Sequence, residues 1–267
     1  MNFMSETGNR RGRIAAVFDI DGTLLPPPSL ELRLVAHLAL HGEMRFGAVG
    51  KWLRSLVPQI LRMWRGGTEL SARPRMLDEN KTYLKGVRIN AVERWIAREF
   101  AELEFFSRAL EIVDWHRRRG HAIVLISGTL APLARAVGRL LASGEEIHIC
   151  ATDLECERER WTGRVDGDAI CGPAKESALT RLAAERHFDL SRSYAYANSL
   201  KDRWLLGAVG HAIAVNAGSR LAQHARRRGW PLADWNDRAC VPAIRDDEQR
   251  QGTENNGRVF AEKVSWK

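Results

Sequence analysis

The chain has 267 residues, enough for one large domain or for a core domain that carries a smaller inserted one. Hydrophobic residues make up 45% of the chain, which favours a sizeable buried core and excludes wholesale disorder. No run of about 18 consecutive apolar residues is present, so no membrane-spanning helix is predicted. The formal net charge of +8 suits nucleic acid, an anionic membrane surface or an anionic substrate as partner.

The positive charge is concentrated where helices are expected to end. Arginine triplets at 117–119 and 226–228 each precede a glycine, which is typical of a helix C-terminus. This placement, and the lack of a recognised binding motif, argue against a nucleic-acid-binding protein. The N-terminal residues 1–13 lack the apolar core of a secretion signal. The cysteines match no zinc-type spacing, so we expect a reduced, cytoplasmic setting.

Apolar runs that alternate with helical patterns predict a parallel sheet wound by helices on both faces. Strands are expected at 13–20, 121–126, 147–154, 193–197 and 211–215. Helices are expected at 110–119, 132–141, 174–186, 204–209 and 221–228, with a hairpin or loop within 157–170. The fold class is therefore α/β, with a Rossmann-like doubly wound sheet.

A helical segment interrupts this alternation after the first strand. Residues 30–100 have no convincing strand; helices are expected at 46–64, 71–84 and 90–100, and Ser29 is a candidate N-cap. We predict a core of residues 13–29 and 101–240, a helical cap of residues 30–100, and mobile tails at 1–12 and 246–267.

The residues suited to chemistry follow the predicted strands or begin a helix. In such a sheet, ligands collect at the carboxyl ends of the strands, where these residues would converge. They are Asp19, Asp21 and Thr23, then Ser127 and Gly128, then Lys175, then Asn198 and Asp202. Each group also has an explanation without function. Asp19 and Asp21 could form a solvated turn, and Ser127 and Gly128 could connect a strand to a helix. Lys175 could be a surface lysine, and Asp202 a solvated acid.

These segments resemble the four motifs of the haloacid dehalogenase-like phosphohydrolases. The motifs read D-I-D-G-T, S-G-T, an isolated lysine and A-N-S-L-K-D, and the likeness extends over about residues 13–236. The helical insert resembles that of the phosphoserine-phosphatase-like branch. The resemblance implies a Mg²⁺-dependent phosphomonoester hydrolase that acts on a small phosphorylated metabolite through an aspartyl-phosphate.

The roles that the resemblance implies agree with the chemistry of the side chains. Asp19 would attack phosphorus, and Asp21 would act as general acid and base. The two aspartates are expected on one side of the first strand because side chains alternate. The phosphate would be bound by Thr23, Ser127, Gly128 and Lys175. The oxygen ligands of Mg²⁺ would come from Asp19, Asp21, Asn198 and Asp202.

Asn198 departs from the resemblance, because the fourth motif of this family usually begins with an acid. An amide oxygen still suits Mg²⁺ but lacks the full negative charge. Two hypotheses follow: an active enzyme with lowered metal affinity, or a protein that binds a phosphorylated ligand without turnover. A phosphotransferase with another acceptor also stays open. Hydrolysis of carbon–chlorine bonds is disfavoured, since Asp21 and Lys175 suit a phosphate.

The residues of the predicted cap are compatible with more than one class of substrate. A basic helix face comprising Lys51, Arg54, Arg62 and Arg65 raises the alternative of a lipid phosphate reached by peripheral membrane contact. A phosphorylated amino acid would instead need an arginine for its carboxylate and an acid for its ammonium. The candidates are Glu31, Glu69, Arg33 and Arg73. The sequence assigns neither the substrate nor the oligomeric state.

Overall fold

The buried apolar runs form a seven-stranded sheet in a computed structural model that describes residues 12–44, 47, 50 and 81–236. The strands are β1 (Ala15–Phe18), β2 (Ala122–Leu130), β3 (His148–Glu157), β4 (Arg160–Asp166), β5 (Tyr194–Ala197), β6 (His211–Val215) and β7 (Leu232–Ala233). Their order across the sheet is β4-β3-β2-β1-β5-β6-β7. Neighbouring strands are parallel, apart from the antiparallel pair β3 and β4. The predicted α/β fold with a mostly parallel sheet is confirmed.

Seven helices of the described segments accompany the sheet. They are α1 (Leu30–Leu40), α2 (Ile89–Glu99), α3 (Ser107–Arg118), α4 (Ala131–Leu141), α5 (Pro173–Arg186), α6 (Arg203–Gly207) and α7 (Ser219–Arg228). Short 3-10 turns lie at Thr82–Leu84, Phe100–Glu102, Leu190–Arg192 and Leu200–Asp202. Among these residues no helix combines the length and apolarity needed to cross a membrane.

The side chains of β1 show how the two faces of the sheet are covered. Ala16 and Phe18 belong to a core shared with α1 to α4, whereas Ala15 and Val17 belong to a second core shared with α5 to α7. All four side chains are fully buried. A strand buried on both faces explains why this run is continuously apolar rather than alternating.

Helices α1 and α2 lie between β1 and β2 in the chain, in agreement with a helical segment inserted after the first strand. The predicted cap of Ser29 is present: its hydroxyl accepts a hydrogen bond from the N–H of Leu32. The helix expected at 46–64 lies outside the described residues apart from Gly47 and Gly50, and its basic face and most of 71–84 lie wholly outside them. The end of that second range forms a 3-10 turn. The boundaries 13–29, 30–100 and 101–240 stay predictions, and the tails lie outside the described residues.

Three details differ from the sequence prediction. β2 continues through the S-G-T motif to Leu130, four residues beyond the predicted end, with an irregular pairing to β3 between Ser127 and Leu130. The segment 157–170 contains a true strand, β4, which pairs with β3. β7 was not predicted, because two residues are too few to produce a recognisable apolar pattern.

Both arginine triplets end helices as predicted. α3 and α7 end in these triplets, and Gly120 and Gly229 follow with φ of +69°. The left-handed backbone at each glycine closes the helix without a Cβ penalty, and the arginines lie at the negative end of the helix dipole. This local role accounts for six of the basic residues.

A buried aromatic cluster supports the strand that leads to Asp19. The Phe18 ring stacks on the Tyr196 ring at a centroid distance of 4.8 Å. His116 is fully buried, with its Nε2 2.9 Å from the Tyr196 hydroxyl and its Nδ1 2.8 Å from the Nδ1 of His121. Burial, assisted by the charges of His121 and Arg119, lowers the pKa of His116 to about 2. His116 is therefore neutral in the folded protein.

Candidate active site

The sheet order places three of the predicted motifs side by side. β1 lies between β2 and β5, so the residues that follow these strands meet at one edge of the sheet. Asp19 follows β1 directly, and its N–H donates to the carbonyl of Tyr196 on β5 at 3.0 Å. This bond fixes Asp19 next to the end of β5, where Asn198 begins the fourth motif.

Lys175 joins the first and fourth motifs through two ion pairs. Its Nζ lies 2.8 Å from Asp19 Oδ1 and 2.6 Å from Asp202 Oδ1, and all three side chains are buried. Lys175 reaches them from the first turn of α5, which begins after Gly172 with φ of +55°. The structure thus brings together residues that are 156 positions apart in the chain.

The electrostatics of this cluster are those of one ammonium shared by two carboxylates. Burial acts to lower the pKa of Lys175, but the charges of Asp19 and Asp202 outweigh it and raise that pKa above its usual value. Burial raises the pKa of Asp202 to about 6, although Lys175 opposes this shift. Lys175 therefore stays charged at neutral pH and balances Asp19.

Asp202 has a partner that the sequence argument did not assign to it. Sequence reasoning placed it among the metal ligands, whereas its Oδ1 faces the Lys175 ammonium. A hydrogen bond to the backbone of Ser199 also favours the ionised form of Asp202. The acid thus holds Lys175 in position together with Asp19.

Asp21 is held by a helix terminus rather than by a strand. β1 ends at Phe18, so the period-two alternation that was expected to align Asp19 with Asp21 does not extend that far. Residues 19–25 form a turn, with Gly22 at φ of +80°. The Asp21 Oδ1 accepts a hydrogen bond from the N–H of Leu30 at 2.8 Å, at the start of α1. The half-buried carboxylate is thereby oriented by the first turn of that helix.

Hydroxyl groups after β1 and near the end of β2 are available as donors. The hydroxyl oxygens of Thr23 and Thr129 are buried and have no hydrogen-bond partner, and Ser127 is 2% exposed. Buried polar atoms without a partner are uncommon, so these hydroxyls suit a bound group that accepts their hydrogen bonds. At Gly128 a Cβ would lie 3.3 Å from the carbonyl oxygen of Ile170, which leaves little room for a side chain. Sequence reasoning named Thr23, Ser127 and Gly128 but did not single out Thr129.

Two asparagines contact Gly22 of the first motif. A Cβ on Gly22 would lie 2.0 Å from the Nδ2 of Asn198, so the Asn198 amide packs directly on this glycine. Asn216 follows β6 and donates from Nδ2 to the Gly22 carbonyl at 3.3 Å, while its Oδ1 accepts the N–H of Trp235 at 2.8 Å. Asn216 was missed as a supporting residue. The available signal was its position directly after a predicted strand, like that of Asn198.

The side chains at this edge suit a hard cation. No group of three or more His, Cys, Asp or Glu residues arranged to hold a metal occurs in the part of the chain described. The oxygens of Asp19, Asp21 and Asn198 nevertheless match the donor type of Mg²⁺, which takes one or two carboxylates and completes its shell with water and phosphate oxygens. The donor set therefore fits Mg²⁺ better than zinc, which favours nitrogen and sulfur.

Comparison with known proteins agrees with this geometry. The family model described as haloacid dehalogenase-like hydrolase matches residues 16–207. A Mycobacterium tuberculosis protein named "Probable phosphatase" is 28% identical over 233 residues, which cover 83% of this chain and 75% of the relative. The chain belongs to the haloacid dehalogenase-like hydrolase family, so the predicted family and the hydrolase class are confirmed.

Solved structures confirm the fold. A Bordetella pertussis protein of unknown function is 26% identical with a TM-score of 0.65, and the match covers 84% of this chain and 99% of that one. A phosphoserine phosphatase, described as a phospho-aspartyl intermediate analogue, is 20% identical with a TM-score of 0.57. That match covers 79% of this chain and 90% of the phosphatase. The likeness to the phosphoserine-phosphatase-like branch is thus present in the fold.

Proposed function

We propose that this hydrolase is a Mg²⁺-dependent phosphomonoesterase that forms an aspartyl-phosphate on Asp19. The observation that carries the proposal is the buried Lys175 bridge, which places an ammonium 2.8 Å from the Asp19 carboxylate. An ion pair with a purely structural role would need only one acid. A phosphate site needs a cation fixed beside its nucleophile, and here Asp202 fixes Lys175 beside Asp19. The phosphatase name of the Mycobacterium tuberculosis relative supports the same reaction class.

The proposed reaction has two steps. The Asp19 carboxylate attacks phosphorus, the bond to the leaving oxygen breaks, and Asp21 donates its proton to the departing alkoxide. Asp21, now a carboxylate, accepts a proton from a water molecule, whose oxygen attacks the aspartyl-phosphate. Inorganic phosphate leaves and Asp19 is restored. A bound Mg²⁺ would supply charge neutralisation at the phosphate oxygens.

The other groups would bind the phosphate and the metal. Lys175 would stay charged and offset the negative phosphate, while the hydroxyls of Thr23 and Ser127 and the N–H of Gly128 would donate to its oxygens. Asp19, Asp21 and Asn198 would hold Mg²⁺. Asp202 would act chiefly through Lys175, although a metal contact for it stays part of the original prediction. No residue of this list is exposed in the folded chain.

The test is phosphate release from a panel of phosphorylated metabolites and lipid phosphates with Mg²⁺, in wild type and in Asp19→Asn. We expect release from wild type and at least about a thousandfold less from Asp19→Asn, because the nucleophile is removed. Asp168→Asn, at an exposed position, is the matched control. Equal release from wild type and Asp19→Asn would overturn the assignment of the nucleophile. Mass spectrometry of wild type quenched in acid during turnover, which should show phosphorylated Asp19, tests the intermediate separately.

Asn198 keeps a second candidate function open. With an amide in place of a carboxylate, the metal site has less negative charge, so the protein would bind a phosphorylated ligand and turn it over slowly or not at all. Phosphate binding without release by wild type, restored to release by Asn198→Asp, would identify this case. A phosphotransferase would reveal itself by a phosphorylated alcohol among the products. The lipid-phosphate alternative depends on residues 51–65, which lie outside the described residues. The absence of a nucleic-acid partner and the cytoplasmic setting stay predictions.

A further inference from the structure

A buried ion cluster lies at the start of α1. Glu31 is 6% exposed and Lys81 is 1% exposed. The Lys81 Nζ lies 2.6 Å from Oε1 and 2.8 Å from Oε2 of Glu31, so one ammonium contacts both carboxylate oxygens. The Tyr83 hydroxyl also donates to Glu31 Oε1. The Glu31 carboxylate is therefore fully engaged by groups from a segment 50 residues away in the chain.

This cluster is next to the general acid of the proposed reaction. The N–H of Leu30 lies 2.8 Å from Asp21 Oδ1, and Glu31 is the following residue. Consecutive Cα atoms are about 3.8 Å apart, so the Glu31 Cα lies within roughly 8 Å of the Asp21 carboxylate. Asp21 would protonate the leaving oxygen, so the leaving group would depart past this helix start.

Every buried acid of the described residues is paired with a lysine. These acids are Asp19, Glu31 and Asp202. Asp19 and Asp202 share Lys175, and Glu31 binds Lys81. A substrate ammonium that is buried on binding loses its hydration water and needs a carboxylate as partner, because an unpaired buried charge is strongly disfavoured. Lys81 occupies the buried acid that directly follows Leu30, the residue bonded to Asp21.

We propose that Lys81 takes the place of a substrate ammonium on Glu31, so that the enzyme selects phosphomonoesters of alcohols without an ammonium group near the phosphate. This inference rests on the proposed phosphatase function and narrows its substrate class. Lys81 is part of the folded chain and contacts both carboxylate oxygens of Glu31. A substrate ammonium would therefore have to displace Lys81 before it could bind Glu31. The favoured leaving groups are neutral or anionic alcohols, and phosphorylated amino alcohols and amino acids are disfavoured.

Paired substrates test the preference directly. The phosphates of ethanolamine and of ethylene glycol differ in one group, an ammonium against a hydroxyl. We expect wild type to show a kcat/KM at least about tenfold higher for the glycol phosphate, since the unpaired ammonium is rejected. Phosphoserine against glycerate 3-phosphate repeats the comparison. A wild-type preference for the ammonium member of both pairs would overturn the inference.

Variants of the cluster test its cause. Lys81→Met frees Glu31, and we expect the preference to shift at least about tenfold towards ethanolamine phosphate. The double variant Lys81→Met with Glu31→Gln removes both charges, is expected to fold even if the single variant does not, and should lack this shift. Lys85→Met, at an exposed lysine four positions away, should keep the wild-type ratio. An unchanged ratio in a folded Lys81→Met protein would refute the role of Lys81.

Failure of the inference and failure of the proposed function give different results. If the inference alone fails, wild type releases phosphate but does not discriminate against the ammonium substrates. If the phosphatase function fails, wild type releases phosphate from no substrate of either pair. In that case, calorimetry measures the dissociation constants of the same compounds for Asp19→Asn with Mg²⁺. Weaker binding of the ammonium compounds would support the preference, and tighter binding of them would contradict it.

Discussion

Replacement of Lys175 by methionine removes the ammonium that Asp19 and Asp202 share. Methionine has a similar length and no charge, so the substitution tests the electrostatics of the bridge more than its packing. One oxygen of each acid contacts the same Lys175 nitrogen: Asp19 Oδ1 lies 2.8 Å from it and Asp202 Oδ1 lies 2.6 Å from it. Without that nitrogen, two buried acids face each other with no opposite charge between them.

The distances set the magnitude of the effect. The two oxygens lie within roughly 5 Å of each other, and at an effective dielectric constant of about 20 two unit charges at that distance repel by about 3 kcal/mol. About 3 kcal/mol corresponds to about two pH units in the uptake of a proton. Burial already raises the pKa of Asp202 to about 6 with Lys175 in place. The pair in Lys175→Met therefore keeps a proton at neutral pH, and the nucleophile loses charge.

The assay is a pH–rate profile of phosphate release. We expect kcat/KM of Lys175→Met at pH 7 to fall by about 100-fold or more, and the acid limb of the profile to move upward by about two pH units. Lys201→Met, at a half-buried lysine next to Asp202, is the control for loss of a nearby charge. Thermal melting checks that the variant folds, because removing one partner of a buried pair costs about 3–5 kcal/mol. An unmoved acid limb with more than a third of wild-type activity would refute the reasoning.

Three further predictions concern the metal, the first-motif turn and pH. Asn198→Asp restores a carboxylate and should lower the Mg²⁺ concentration for half-maximal activity by about tenfold; an unchanged titration would mean that Asn198 is not a ligand. Gly22→Ala should destabilise the fold by roughly 1–3 kcal/mol in denaturant melts, because φ is +80° and the new Cβ would meet Asn198. His116, neutral in the fold with a pKa of about 2, takes up a proton on unfolding below about pH 6.5, so stability should fall by about 1.4 kcal/mol per pH unit below that value. His116→Phe should remove this dependence of the free energy of unfolding on pH, whereas the exposed His187→Asn should keep it. Equal slopes in wild type and both variants would show that His116 is not the cause.

The charge balance of the site explains why Asn198 matters. The carboxylates of Asp19 and Asp202 contact the buried Lys175 ammonium, and a third carboxylate, that of Asp21, lies two residues after Asp19 at the start of α1. Another carboxylate at position 198 would add negative charge and attract a divalent cation more strongly. The amide avoids that charge and packs on Gly22 instead. The Asn198→Asp titration measures how far the amide limits metal binding.

The regular elements and the chemistry-bearing residues of this protein follow from local patterns. β6 occupies the predicted range 211–215, because a buried parallel strand leaves a short run of apolar residues in the sequence. Asp19 and Lys175 were found because a carboxylate at the end of such a run, and a lysine at a helix start, are unusual there. β2 was predicted too short, since the polar Ser127 and Thr129 look like a loop until pairing with β3 is seen.

The sequence by itself determined which side chains are available to the site, since residue type and position along a strand or helix are local properties. Only the tertiary structure decided how those side chains are paired. Lys175 was expected to serve Asp19 and the phosphate, and the fold gives it Asp202 as well. Glu31 was one of two candidate cap acids, and a lysine 50 residues later neutralises it. Ion pairs of this kind join distant segments, and short-range patterns have no means of choosing the partner when several charged residues could reach the same place.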